Sequence, residues 1–152
     1  MIRKLKKFFE AHLTAQANES SEQLEHRLQL ACAVLLIEVA RMDNSLSFLE
    51  EEQLQLAIQS KFALTASEIK ELLELADEKR DEATDYHQFT QLLNGQFDLG
   101  QKIRLVELMW QVALADGHID QHEEHFIRKI ADLLYLRHSE LISARERMKK
   151  QA

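Results

Sequence analysis

Apolar residues recur along most of this chain at intervals of three and four, the spacing of one helical face. No stretch alternates apolar and polar residues as a half-buried strand would. A first helix is expected over about Ile2 to Ala17, with Ile2, Leu5, Phe8 or Phe9, and Leu13 on one side and lysines opposite. "ANESSEQ" breaks the pattern, and Ser20 with Gln23 has the capping-box spacing for a second helix running to about Met42. Between Leu30 and Ile37 that helix is apolar all round, the mark of a buried central rod. Ser47 with Glu50 opens a third helix to about Phe62, and Thr65 with Glu68 a fourth to about Arg80. "DEAT" reads as a turn. A short helix follows through Tyr86, Phe89, Leu92 and Leu93, expected to close at Asn94-Gly95 with the glycine left-handed. A sixth helix, about Leu99 to Ala115, carries a polar stripe of Gly100, Arg104, Glu107 and Gln111. Asp120 opens a seventh through Phe126, Ile127, Ile130, Ala131 and Leu134. The last runs from about Ser139 into a basic tail.

Two segments of this pattern align when the chain is shifted by about 73 positions. Val39-Ala40 then meets Val112-Ala113, Asp43 meets Asp116, Leu46 meets Ile119, Ser47 meets Asp120, Glu50-Glu51 meets Glu123-Glu124, and Leu54 meets Ile127. With one residue dropped from the loop, "LTASE" meets "LRHSE". Unrelated windows of this length would share about one identity; here there are five. The repeated unit is a long helix, an acidic loop, a helix, a short turn and another helix. The expected fold is therefore all-α: a single-domain bundle of about seven to eight helices with an internal pseudo-twofold repeat. A basic amphipathic helix would occupy residues 1–18 and the helical domain 21–150, with repeat halves at about 24–80 and 99–148.

Composition sharpens this picture. The 152 residues include no proline and three glycines, a scarcity of breakers that favours helices joined by capped turns. The one cysteine, Cys32, sits in the apolar run and reads as a buried hydrophobe in a reducing compartment. The formal net charge of −7 argues against nucleic acid as a partner. The charge is uneven: Arg3, Lys4, Lys6 and Lys7 make the start basic, and Arg145, Arg147, Lys149 and Lys150 the end. The run from Leu30 to Ile37 is too short to span a bilayer, and the N-terminus lacks the long apolar core of a signal peptide. A cytoplasmic protein is expected. Residues 2–13 leave two readings open, docking on the bundle or weak peripheral contact with an anionic membrane, and docking is favoured.

Candidate chemistry concentrates in the two acidic loops, "RMDNSLSFLEEE" and "ADGHIDQHEE". Asp120-x-x-Glu123 and Ser47-x-x-Glu50 have the form of capping boxes. Gly117 suits positive φ, and Asn44 tolerates it. Asp116 and Asp43 fall near helix C-termini, where the helix dipole disfavours negative charge. One account is an Asx-turn in which each carboxylate accepts loop N–H groups. The other is a cation site, with Asp116, Asp120 and Glu123, joined by Asp43 and Glu50, offering hard oxygen ligands to Ca²⁺, Mg²⁺ or Mn²⁺. Two carboxylates about 6 Å apart repel by roughly 3 kcal/mol at an effective dielectric of 20, a cost a bound cation removes. Capping is the favoured account. The loops are too short for an EF-hand. His118, His122 and His125 crowd the second loop, yet His122 and His125 stand at i, i+3 rather than at the i, i+4 of the HExxH motif. A metal-dependent hydrolase built on these groups is the enzymatic alternative.

The stretch "VALADGHIDQHEEHFIRKIADLL", with its A-D-G-x-I-D-x-x-E core, and its degenerate copy "VARMDNSLSFLEEEQL" resemble the tellurite-resistance TerB family. The resemblance covers about Leu24 to Met148. It implies an all-helical pseudo-symmetric fold, acidic clusters suspected of binding metal, no established catalytic activity, and a bacterial stress response acting through protein complexes at the inner face of the membrane. By position the motif residues are Asp116, Gly117, Ile119, Asp120 and Glu123, with Asp43, Leu46 and Glu50 in the first copy. That copy departs from the pattern at Asn44 and Ser47, so any cation site is expected to centre on the second loop or to combine it with Asp43.

Overall fold

The computed structural model describes residues 7, 10–14, 18–42, 47–77, 86–115, 117 and 119–151. Among the described residues there are seven α-helices and no strand. They are α1 (Ser21–Ala40), α2 (Phe48–Lys61), α3 (Ala66–Asp77), α4 (His87–Gln96), α5 (Leu99–Ala113), α6 (Gln121–Leu133) and α7 (His138–Gln151). Of the first expected helix, Lys7 and Glu10–His12 are helical; the "DEAT" turn lies outside the described residues.

Six of the seven helices start in the same way. The residue three positions into the helix sends its side chain back to the backbone N–H of the cap. Gln23 accepts from Ser20 at 2.9 Å, Glu50 from Ser47 at 3.0 Å, and Glu68 from Thr65 at 2.9 Å. Gln101 accepts from Asp98 at 2.9 Å, Glu123 from Asp120 at 3.0 Å, and Glu140 from Arg137 at 2.7 Å. In the first five the cap side chain also accepts a helical N–H, completing the box. Arg137 has no acceptor to offer, so α7 keeps half of it. The exception is α4, whose cap Tyr86 makes no side-chain capping bond.

One helix boundary differs from expectation. Gly95 lies inside α4 rather than capping it. The helix continues until the Phe97 N–H meets the Leu93 carbonyl at 2.7 Å, and Asp98 at once caps α5, which leaves no room for a left-handed residue. Gly117 does take the expected positive φ, at 95°.

Contacts divide the chain into two compact units, Met1–Ile37 with Ser45–Thr84, and Glu38–Asn44 with Asp85–Ala152. In the first unit the run from Leu30 to Ile37 is buried on every side, as its all-round apolarity requires. Helix α2 packs on α3, and Leu54, Ile58, Leu64, Ile69, Leu72 and Leu73 are buried with the run. Polar clasps fix the register. Ala63 N–H donates to Gln29 Oε1 at 2.8 Å, and His26 Nε2 lies 2.6 Å from Glu68 Oε2. Buried Arg27 is held through all three nitrogens: its Nε and one terminal nitrogen grip Glu19 at 2.8 Å, and the other reaches the Leu13 carbonyl at 2.9 Å. Leu13 is itself buried, so the end of the N-terminal segment is held in this unit. Burial, then the charge of Glu25, pushes the Cys32 thiol up to about 12, which leaves it a packing group rather than a nucleophile.

In the second unit α5 packs on α6 and α7, and α4 on α6. Trp110, Met109, Val106, Ile127 and Ile130 fill its core. Glu107 Oε2 accepts from Arg147 at 2.6 Å, tying α5 to α7, and Asn94 donates to the Leu133 carbonyl at 2.9 Å, tying α4 to the end of α6.

Helix α6 ends in a Schellman motif. Leu136 N–H reaches the Ala131 carbonyl at 3.0 Å and Tyr135 N–H the Asp132 carbonyl at 3.0 Å. The left-handed position, φ 63°, is held by Tyr135 rather than by glycine. Its ring is exposed, with the Lys102 ammonium 5.9 Å from the centroid. Removing the Cβ strain outweighs the entropy of a glycine, so Tyr135→Gly is expected to stabilise the fold by about 0.5–1 kcal/mol. A rise in the urea midpoint at unchanged slope checks it.

Candidate functional site

The second acidic loop follows from how α5 stops. Leu114 N–H closes on the Trp110 carbonyl, and Gly117 N–H on that of Leu114 at 2.9 Å; the positive φ of Gly117 turns the chain. Ile119 is half-buried, and Asp120 sits in extended backbone at the head of α6. Asp120 Oδ2 accepts the His122 N–H at 2.7 Å and lies 3.2 Å from His122 Nδ1. Partial burial pushes the Asp120 carboxyl up, but the hydrogen bonds and charge of His122 and the Glu123 N–H outweigh it, so its pKa falls below the ordinary aspartate value. The cap contribution is therefore present at neutral pH and is lost as pH falls through that lowered pKa.

Glu123 is the more unusual group. It serves the cap while being 7% exposed, a rare burial for a carboxylate. Its counterpart in the first unit, Glu50, makes the same bond to Ser47 from an exposed position. The Ser47 backbone and hydroxyl bonds hold the Glu50 pKa below the usual range. Of the five residues the sequence nominated, the structure brings Asp120 and Glu123 together and sets Glu50 in the first unit. Asp116 and Asp43 lie outside the described residues, as do His118, Asn44 and Leu46.

Two site residues went unnoticed in the sequence, Glu38 and Tyr86. Glu38, in the last turn of α1, is 3% exposed and belongs with the second unit. Tyr86 is also buried, and its hydroxyl donates to Glu38 Oε2 at 2.6 Å. The Tyr86 ring stands edge-on to Phe126, centroids 5.0 Å apart, and the Lys129 ammonium lies 6.0 Å from its centre. Phe126 follows Glu123 by three residues and so shares its helical face. Glu38 and Tyr86 thus form a buried polar pair, and the tyrosine ring packs on the face of α6 that carries Glu123. The signal was present: Glu38 is the one charged residue in "ACAVLLIEVA", and an ionised group in a rod buried all round needs a partner.

His122 is exposed and paired with Asp120; His125 is exposed. Among the described residues no three His, Cys, Asp or Glu side chains converge as metal ligands. The first unit has an open depression of about 620 Å³ lined by His12, Glu19, His26 and Arg27, but its buried cation, Arg27, is committed to Glu19 and Leu13. No helix among the described residues is long and apolar enough to cross a membrane.

An all-helical protein built on repeated capped hairpins, with an acidic loop and a buried carboxylate group beside it, is the class these features define. Residues 29–146 match the family described as tellurite resistance protein TerB, and the chain belongs to that family. No curated protein and no solved structure gives a match.

Proposed function

We propose that the protein is a non-enzymatic stress-response module that engages protein partners at the inner face of the membrane, with a divalent cation, Ca²⁺, Mg²⁺ or Mn²⁺, held at the acidic loop of the second unit. The observation that supports this is the burial of two carboxylates, Glu38 and Glu123, in one unit. Taking an ionised carboxylate out of water costs several kcal/mol unless donors or opposite charge meet it. Tyr86 donates to Glu38, and the Asp120 N–H to Glu123. The donor chemistry fits a hard cation: carboxylate oxygens rather than thiolate or an imidazole triad. Asp120 and Glu123 would contribute two ligands, and Asp116, with Asp43, would complete the set. The cation would neutralise the corner and fix the loop between α5 and α6, making the surface for a partner dependent on metal.

Calorimetric titration of Ca²⁺, Mg²⁺, Mn²⁺ and Zn²⁺ into the wild type and into Asp116→Asn and Glu123→Gln tests the reading. A saturable site for a hard cation, weakened roughly tenfold or more in each variant, is expected. Absence of heat at millimolar metal would leave the carboxylates as helix caps.

A further inference from the structure

We propose that Asn94-Gly95 is a site of spontaneous covalent modification, gated by the last turn of α4, where conversion of the asparagine to an acid cuts the tie between α4 and α6. The Gly95 backbone nitrogen bonds to the Asn94 side-chain carbonyl carbon. Its proton departs with the side-chain nitrogen as ammonia. Water then opens the resulting succinimide ring to aspartate or isoaspartate. No oxidant or reductant takes part, and water is the sole co-reactant. Glycine lacks the Cβ that would crowd the attack. Gly95 is also exposed, and a Cβ built on it would meet nothing within 4 Å, so solvent reaches the bond.

The helix restrains the reaction. Inside α4 the Gly95 N–H belongs to the i→i−4 ladder, and the helical ψ of Asn94 turns that nitrogen away from its own side chain. Conversion therefore waits until the last turn opens. Little holds that turn closed. Glycine is the poorest helix former short of proline, and only Gln96 follows it before the cap Phe97. Leu93, wholly buried, anchors the helix up to that point, so opening is confined to what comes after.

The consequence follows from what surrounds the amide. Asn94 Nδ2 donates to the Leu133 carbonyl at 2.9 Å, the bond that ties α4 to the end of α6. Its Oδ1 is buried and has no hydrogen-bond partner among the described residues. A carboxylate there would set one oxygen against the Leu133 carbonyl and the other where no donor stands, which is unfavourable for a charge. Isoaspartate also lengthens the backbone and breaks the helical ladder. The change is irreversible, so each successful opening leaves a permanently weakened tie.

The test incubates the full chain in mildly alkaline buffer beside the same chain unfolded in guanidinium chloride, and reads the acid at position 94 by peptide mass spectrometry. Conversion in both is expected, roughly tenfold to a hundredfold slower in the folded chain, because only the opened fraction reacts. Gly95→Ala strengthens the helix in open space, so it should widen the ratio of the two rates and raise the melting temperature. Asn94→Asp, the product itself, should melt below the wild type at neutral pH. A carboxyl met by no donor favours its protonated form, so that deficit should shrink on acidification, whereas the deficit of Asn94→Leu should not. Equal rates in the folded and unfolded chains overturn the proposal, as does a ratio that Gly95→Ala leaves unchanged. So does a folded chain with no acid at position 94 after roughly a hundredfold the exposure that converts the unfolded one. An Asn94→Asp variant that melts like the wild type, or whose deficit ignores pH, overturns the severed tie.

Discussion

Trp110→Ala is expected to destabilise the protein by about 3–5 kcal/mol, a large share of the stability of any domain of this size. Trp110 is 1% exposed, in the last turn of α5, the helix on which both α6 and α7 pack. Its indole N–H donates to the Leu141 carbonyl at 3.2 Å, and the Arg145 guanidinium lies 5.7 Å from the ring. Truncation therefore opens a cavity between α5 and α7, removes the indole hydrogen bond and removes the platform under a cation. This is the only tryptophan, so unfolding must be followed by far-UV circular dichroism rather than fluorescence. Trp110→Phe keeps most of the volume and should cost clearly less. A loss below about 1 kcal/mol for the alanine variant would mean that α5 is not the packed core of its unit.

Tyr86→Phe is expected to cost about 1.5–3 kcal/mol for the removal of a single oxygen atom. The hydroxyl is a donor to a carboxylate that is almost wholly out of water, and the ring itself, packed edge-on against Phe126, is preserved by the substitution. The cost therefore reports the charge, not the packing. A double-mutant cycle isolates it: in a Glu38→Leu background, where there is no charge to satisfy, Tyr86→Phe should cost less than about 0.5 kcal/mol. Equal penalties in both backgrounds would show that the hydroxyl acts elsewhere. The same pair bears on the cation reading. If Glu38 helps to set the charge of the corner, Glu38→Leu lowers divalent-cation affinity as well as stability.

The helices were legible because their start signals are local. Ser20, Ser47, Thr65 and Asp120 each stand three residues before a Glu or Gln, and each forms the reciprocal bonds that spacing implies. The buried run from Leu30 to Ile37 was legible because nothing polar interrupts it. Helix ends were harder. Gly95 looked like a stop, yet whether a glycine ends a helix depends on where the next residues are needed, and Asp98 claims them for α5. Tyr135 occupies a glycine position with no glycine to announce it.

The site was legible only in part, for the same reason. Asp120 and Glu123 form a pair three residues apart, and composition pointed to them directly. Glu38 and Tyr86 are 48 residues apart, and only the inclusion of the last turn of α1 in the second unit beside Tyr86 makes them partners. In α2, by contrast, the outward positions of Leu49 and Leu56 follow only once Leu54 and Ile58 are found to be the ones turned inward.

The helix-start bonds also bear on how such a chain could have arisen. Each is closed within three residues, so the punctuation travels with the segment it punctuates. A stretch copied and pasted downstream would carry its own instructions for where every rod begins. The Thr65–Glu68 and Arg137–Glu140 pairs, which the repeat aligns, differ in this way: Arg137 has no acceptor to offer, yet the remaining half still sets the first turn. Duplicated helical architecture of this kind can diverge in its loops, and so in what it binds, without having to relearn how to fold.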